Sequence, residues 1–134
     1  LAGEGATPTL EVVRGIHERK TGALLASSLR LGAIAVGAAG DVVRRLDGYG
    51  RRMGLAFQII DDVLDEEGLT VELGKTAGKD LTADKTTYPK LLGLEESRQR
   101  ADALVAEAKA ALAPWHGSAA PLLALADYIT SRDR

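Results

Sequence analysis

Gly54-Leu55-Ala56-Phe57-Gln58-Ile59-Ile60-Asp61-Asp62-Val63-Leu64-Asp65 is an apolar, helix-forming run that ends in three carboxylates. Asp61 and Asp65 are four residues apart, so on a helix they sit one turn above each other on a single face. Gln58 precedes Asp61 by three and joins that face. Two like charges this close repel by up to about 4 kcal/mol at an effective dielectric of about 20 and about 4 Å separation. Beside Phe57, Ile59 and Ile60 such a cluster calls for a counter-charge. Hard oxygen ligands on a short helical face suit Mg²⁺, which binds through one or two carboxylates and keeps waters and substrate phosphates as its other ligands. An acidic helix end facing solvent is the plainer alternative.

Outward from this run, Val42, Leu46, Tyr49, Met53, Phe57, Ile60 and Leu64 recur at spacings of three and four, a heptad-like core stripe. The pattern predicts a helix over about 41–67, opened by Asp41 as cap after Gly40 and closed at Glu66-Glu67-Gly68. At 1.5 Å per residue it is roughly 40 Å long. A polar stripe of Arg51, Gly54, Gln58, Asp61 and Asp65 runs beside the apolar one. The acids then fall near the C-terminal end, where the helix dipole disfavours anions by several tenths of a kcal/mol and a bound cation would offset it.

On the N-terminal side, Pro8 suits a first helical position with Thr7 as cap. Leu10, Val13 and Ile16 or His17 follow helical spacing. Gly22 weakens the helix locally, and a kink there would aim Lys20 and Thr21 sideways into a cavity. Spacing alone equally allows Lys20 as a solvated surface lysine and His17 as a packed histidine. Leu24 to Ala39 is a helix of small and apolar residues in which Gly32 and Gly37 suggest close approach to a neighbour. Being apolar on most sides, it is expected at the centre of a bundle.

On the C-terminal side, residues 68–86 are expected to form a charged loop with Lys75, Lys79, Asp80, Asp84 and Lys85. It is not a P-loop, because Gly74 and Gly78 are too close together and Lys79 is followed by Asp80. Carboxylates that hold Mg²⁺ followed by lysines that meet phosphate oxygens make a diphosphate site; an ordinary solvated loop is the alternative. Thr86-Thr87-Tyr88-Pro89 opens a short helix to about Gly93. Glu95 to Leu112 is amphipathic, with Ala101, Leu104, Val105, Ala108 and Leu112 inward and Arg98, Arg100, Glu107 and Lys109 outward, and Pro114 stops it. A last helix over about 118–131 packs Leu122, Leu123, Leu125, Ala126 and Ile129, with Trp115 as an anchor.

The 134 residues allow one helical domain, 1–134, and 46% apolar residues suffice for its core. Aromatics make up only 4%, which favours helices packed through small residues. A net charge of −2 argues against a generic electrostatic grip on nucleic acid. Without cysteine there is no disulfide framework, thiolate metal site or cysteine nucleophile. No apolar run is long enough to span a bilayer. A soluble protein of the cytoplasm or a plastid is expected.

Four blocks together resemble the trans-isoprenyl diphosphate synthases, the farnesyl and geranylgeranyl diphosphate synthase family. They are His17-x-x-Lys20-Thr21-Gly22-Ala23-Leu24, Gly54-x-x-Phe57-Gln58-x-x-Asp61-Asp62-x-Leu64-Asp65, Leu73-Gly74-Lys75-Thr76 with Gly78-Lys79-Asp80, and Asp84-Lys85-x-Thr87-Tyr88-Pro89. The resemblance implies an all-α, isoprenoid-synthase-type helical bundle with long helices around a central cavity. It implies condensation of an allylic diphosphate with isopentenyl diphosphate, Mg²⁺-dependent, by a homodimer. In such enzymes Mg²⁺ ions bind the allylic diphosphate between two aspartate motifs, and the cation left by its ionisation is attacked by the isopentenyl double bond. By similarity Asp61 would be the principal metal ligand, with Asp62 and Asp65 supporting it. Lys20 and Lys75 would hold the diphosphate and stabilise its leaving charge, with Lys85 adding charge at the rim. Thr21 and Gln58 would line the reacting carbon's surroundings.

The resemblance also marks what this sequence lacks. The first aspartate motif with its arginines, and the basic residues that bind isopentenyl diphosphate, are absent. The chain therefore resembles the C-terminal half of a family member, expected to be inactive alone. A non-catalytic helical subunit that modulates a complete synthase is the alternative reading, against which the intact Asp61, Asp62, Asp65 and Lys75 argue. A class I terpene cyclase fits less well, since its second motif reads Asn/Asp-Asp-x-x-Ser/Thr-x-x-x-Glu and position 65 here is Asp.

Overall fold

The computed structural model of the chain describes residues 8–73, 85–115 and 117–132. Its elements are α1 (Leu10–His17), a π-turn (Glu18–Gly22), α2 (Ala23–Ala35), α3 (Gly40–Leu73), α4 (Tyr88–Leu92), α5 (Leu94–Ala111), a 3₁₀ turn (Ala113–Trp115) and α6 (Ala120–Ser131). There is no strand among the described residues, so the all-α expectation holds.

Helix α3 is the axis of the fold, and α1–α2, α5 and α6 all pack on it. Its apolar stripe is the core as the sequence predicts: Tyr49, Met53 and Ile60 are fully buried, while Leu46, Phe57 and Leu64 are half-buried against them. The facing side chains are Val13 from α1, Ala101, Val105, Ala108 and Leu112 from α5, and Ala126 and Ile129 from α6.

The chain α1–π-turn–α2 runs antiparallel along α3, seated on glycines. A Cβ added at Gly54 would lie 2.5 Å from the Gly22 Cα, and one at Gly50 would lie 2.7 Å from the Ala26 Cα. These backbones touch because no side chain separates them. The sequence reading put the close approach at Gly32 and Gly37, but a Cβ at either position meets nothing within 4 Å. Gly37 serves a different end: at φ +70 it closes α2, with Gly37 N–H on Ile34 O and Ala38 N–H on Ala33 O, a Schellman cap.

Further expectations shift. Helix α1 starts at Leu10 with Thr9 as its cap, the Thr9 hydroxyl accepting from Val12 N–H at 3.4 Å. Asp41 lies inside the first turn of α3 and does not cap it. Helix α3 does not end at Gly68 but continues to Leu73. Glycine costs about 1 kcal/mol in a helix, and this stretch is held by Arg98, whose Nη2 donates to both Glu67 oxygens at 2.8 and 2.7 Å. Arg98 is thus an interhelical partner and not an outward residue. Helix α2 is not central: Leu24, Leu31, Ile34 and Val36 are exposed, as is Leu125 on α6.

Candidate metal and diphosphate site

The predicted acids stand on α3 well inside the helix. Asp65 is eight residues from Leu73, the last residue of α3, so the dipole argument made from a helix end at Gly68 does not apply. The three carboxylates face different surroundings. Asp61 is half-buried, and its Oδ1 accepts from Arg132 Nη2 at 2.6 Å. The same guanidinium lies over the Phe57 ring, 4.7 Å from its centroid. Asp65, one turn further on, is exposed.

Asp62 points into the fold, because neighbouring residues on a helix diverge by about 100°. It is 4% exposed, and its Oδ2 lies 2.8 Å from His17 Nε2. Lys85 Nζ approaches Asp62 Oδ1 at 3.6 Å. The His17 ring stacks on Tyr88 with centroids 5.7 Å apart. Burial pushes the Tyr88 phenol above its ordinary range, partly opposed by the Arg14 and Arg100 guanidiniums. No sequence signal distinguished this use of His17, beyond its place four residues after Val13 on the buried face of α1.

The expected kink is a π-turn. Ala23 N–H donates to Glu18 O, five residues back, where an α-helix would pair residues four apart. The wide turn carries Lys20, which is exposed, and Thr21, which is half-buried. Its Gly22 end rests on Gly54 of the stripe that continues through Gln58, Asp61 and Asp65. Seven residues separate Gly54 from Asp61, about 10 Å along the helix. Gln58 lies buried between them, 8% exposed. Gln58, Asp61 and Asp65 thus follow Gly54, the residue on which the Gly22 end of the π-turn rests, along one side of α3. Lys75 lies outside the described residues, as do Lys79, Asp80 and Asp84.

Among the described residues, no three acidic or histidine side chains converge into a closed metal cage. Asp61 and Asp65 nonetheless fit Mg²⁺: they are hard oxygen donors one turn apart, accessible from one side, and that ion takes only one or two protein carboxylates when phosphates complete its shell. No helix among the described residues is long and apolar enough to cross a membrane.

The fold and this face define an all-α protein that presents aligned carboxylates on a long central helix beside a lysine-bearing π-turn. The model of the polyprenyl synthetase family matches residues 3–113, and the chain belongs to that family. It is 54% identical over 123 residues to a dimethylallyltranstransferase of Fischerella ambigua (strain UTEX 1903), covering 92% of this chain and 36% of the relative. A crystal structure of an FPP/GFPP synthase from Zymomonas mobilis superposes with a TM-score of 0.79 at 36% identity, over 94% of this chain and 40% of that one. The geranyltransferase of Helicobacter pylori 26695, complexed with magnesium and isoprenyl diphosphate, gives a TM-score of 0.67 at 28% identity, over 94% of this chain and 41% of the other. The chain thus spans 36–41% of the length of these three relatives.

Proposed function

We propose that this chain is the part of a trans-prenyltransferase that carries its second aspartate motif, and that the whole enzyme condenses an allylic diphosphate with isopentenyl diphosphate. The observation that carries the reading is the alignment of Asp61 and Asp65 on the side of α3 where Gly54 seats the π-turn bearing Lys20 and Thr21. Asp61 and Asp65 would hold Mg²⁺, as the magnesium complex of the Helicobacter pylori relative supports. When bound, the metal supplies positive charge that draws electron density toward the diphosphate leaving group.

The chain's own residues do the rest. Lys20 and Lys75 pair with diphosphate oxygens and stabilise the charge that develops on them. Lys85 adds positive charge at the rim. Thr21 and Gln58 present polar atoms toward the reacting carbon, and buried Gln58 stays fixed in place between turns of α3. Assembly as a homodimer belongs to the same proposal, supported by the exposed apolar residues of α2.

The test is incorporation of labelled isopentenyl diphosphate into an extended prenyl diphosphate by the full protein that contains this chain, with and without Mg²⁺. Turnover that needs the metal and falls by orders of magnitude in Asp61→Ala, with the helical circular dichroism unchanged, is expected. Equal turnover in Asp61→Ala removes the metal assignment, and absence of any product from the wild-type protein removes the activity.

A further inference from the structure

We propose that His17 is a positioning residue for the α3 site: it fixes Asp62 inside the fold and so sets the angle at which Asp61 and Asp65 meet the π-turn. The inference rests on the reading of that face as a metal–diphosphate site and goes beyond it by adding a residue that touches neither metal nor diphosphate.

Four observations carry it. First, the pair is buried: both side chains are 4% exposed, and His17 Nε2 is 2.8 Å from Asp62 Oδ2. A carboxylate so enclosed must keep a partner, because an unpaired buried charge is strongly disfavoured. Second, the partners are chosen for orientation. The His17 ring stacks on Tyr88 at an interplanar angle of 15°, which restricts tilting of Nε2 away from Asp62. Third, His17 Nδ1 is buried without a hydrogen-bond partner among the described residues. The contact with Asp62 is therefore the hydrogen bond that orients the ring. Fourth, His17 immediately precedes the π-turn, whose far end rests on Gly54.

The wide turn is consequently tied to α3 at both ends, by His17 on Asp62 and by Gly22 on Gly54. Lys20 and Thr21 lie between the two ties. A helix is rigid about its axis, so anchoring Asp62 inward fixes the outward direction of Asp61, about 100° away, and of Asp65 one turn on. Rotation of α3 by even part of that angle would have to break the buried pair. In this arrangement Asp62 serves the metal face as an internal anchor, with Lys85 Nζ closing its other oxygen from outside at 3.6 Å.

Two substitutions separate the donor from the ring. His17→Gln keeps an N–H donor near the Nε2 position and loses the aromatic stack. His17→Phe keeps the stack on Tyr88 and loses the donor. In the full protein, binding of inorganic pyrophosphate in the presence of Mg²⁺ is titrated by calorimetry, with melting curves as the check on folding and Asp61→Asn as the control. We expect His17→Phe to weaken binding about 10-fold or more, as loss of a residue that orients metal ligands does, and His17→Gln to stay within about 3-fold of wild type. Folded His17→Phe with wild-type binding overturns the proposal. So does His17→Gln failing as badly as His17→Phe, which would assign the effect to the ring. If His17→Phe does not fold, His17→Leu, which likewise lacks the donor, takes its place and is read in the same sense. If wild type and Asp61→Asn bind alike, the site reading itself fails, which is a separate outcome.

Discussion

Arg132 Nη2 sits 2.6 Å from Asp61 Oδ1, across 71 residues of sequence. The cation at the C-terminal end of α6 thus occupies an oxygen of the acid proposed to hold a metal. Its side chain is 21% exposed and lies over the Phe57 ring, 4.7 Å from the centroid. The partly exposed ion pair contributes about 1 kcal/mol or less, and the cation–π contact adds about 0.5–1 kcal/mol. Arg132→Ala should therefore lower the stability of the fold by about 1–2 kcal/mol while freeing Asp61. Mn²⁺ takes the same oxygen ligands as Mg²⁺ and can be followed by paramagnetic resonance. Its affinity, measured without diphosphate, should rise several-fold in the variant. The two effects have opposite signs, so general damage cannot mimic them. Weaker or unchanged Mn²⁺ binding would show that Arg132 does not compete for Asp61.

The glycines of α3 are predicted to behave in opposite ways under the same substitution. Gly54→Ala would drive a methyl to 2.5 Å from the Gly22 Cα, against backbone that cannot rotate away. The helices must part, and a loss of about 3 kcal/mol or more is expected. Gly50→Ala meets the Ala26 backbone at 2.7 Å and should cost a similar amount. At Gly68 nothing lies within 4 Å, so Gly68→Ala should gain about 1 kcal/mol from helix propensity alone. Urea unfolding of the three variants checks the ranking. Comparable losses at positions 54 and 68 would contradict the packing described.

Local patterns in the sequence carried the reading of the fold, and contacts between distant residues limited it. The stripe through Tyr49, Met53 and Ile60 follows the helical period, so the central helix and its buried face could be read directly. The break at Gly22 was likewise legible, because glycine after threonine weakens one turn, and the π-turn falls there. The end of α3 was misread since Gly68 is locally a helix breaker, whereas the partner that holds this stretch, Arg98, comes from 31 residues away. The same limit applies to the site. The alignment of Gln58, Asp61 and Asp65 is a matter of spacing within one helix. That Asp62 turns inward to His17, 45 residues earlier, depends on how two helices cross. Gly32 and Gly37 looked like contact residues by composition, but a glycine's neighbours are set by the opposing backbone, which faces Gly50 and Gly54. Exposed Leu24 and Leu31 follow from the same cause: apolarity on all sides signals a covered helix, and which element covers it is not a local property.

The last prediction concerns alkaline stability and the junction of α3 with α6. Tyr49 is 1% exposed, and its hydroxyl donates to Leu122 O at 2.7 Å. Burial raises its phenol from 10.0 to about 12. Between those values the unfolded chain has already released the proton and the folded chain has not, so the folded state binds more protons and stability falls as pH rises. The stabilisation is fully present below about pH 10, the unfolded value, and is lost as pH climbs through the folded value near 12. Tyr88 is shifted in the same direction by its burial and adds to the loss. Tyr49→Phe removes one hydrogen bond, a cost of about 1 kcal/mol near neutral pH, but also removes the proton whose release opposes folding in alkali. The variant's deficit should therefore shrink from about pH 8 to about pH 11, as measured by urea unfolding at each pH. A deficit of equal size at both would mean that the Tyr49 proton does not control the alkaline limit of the fold.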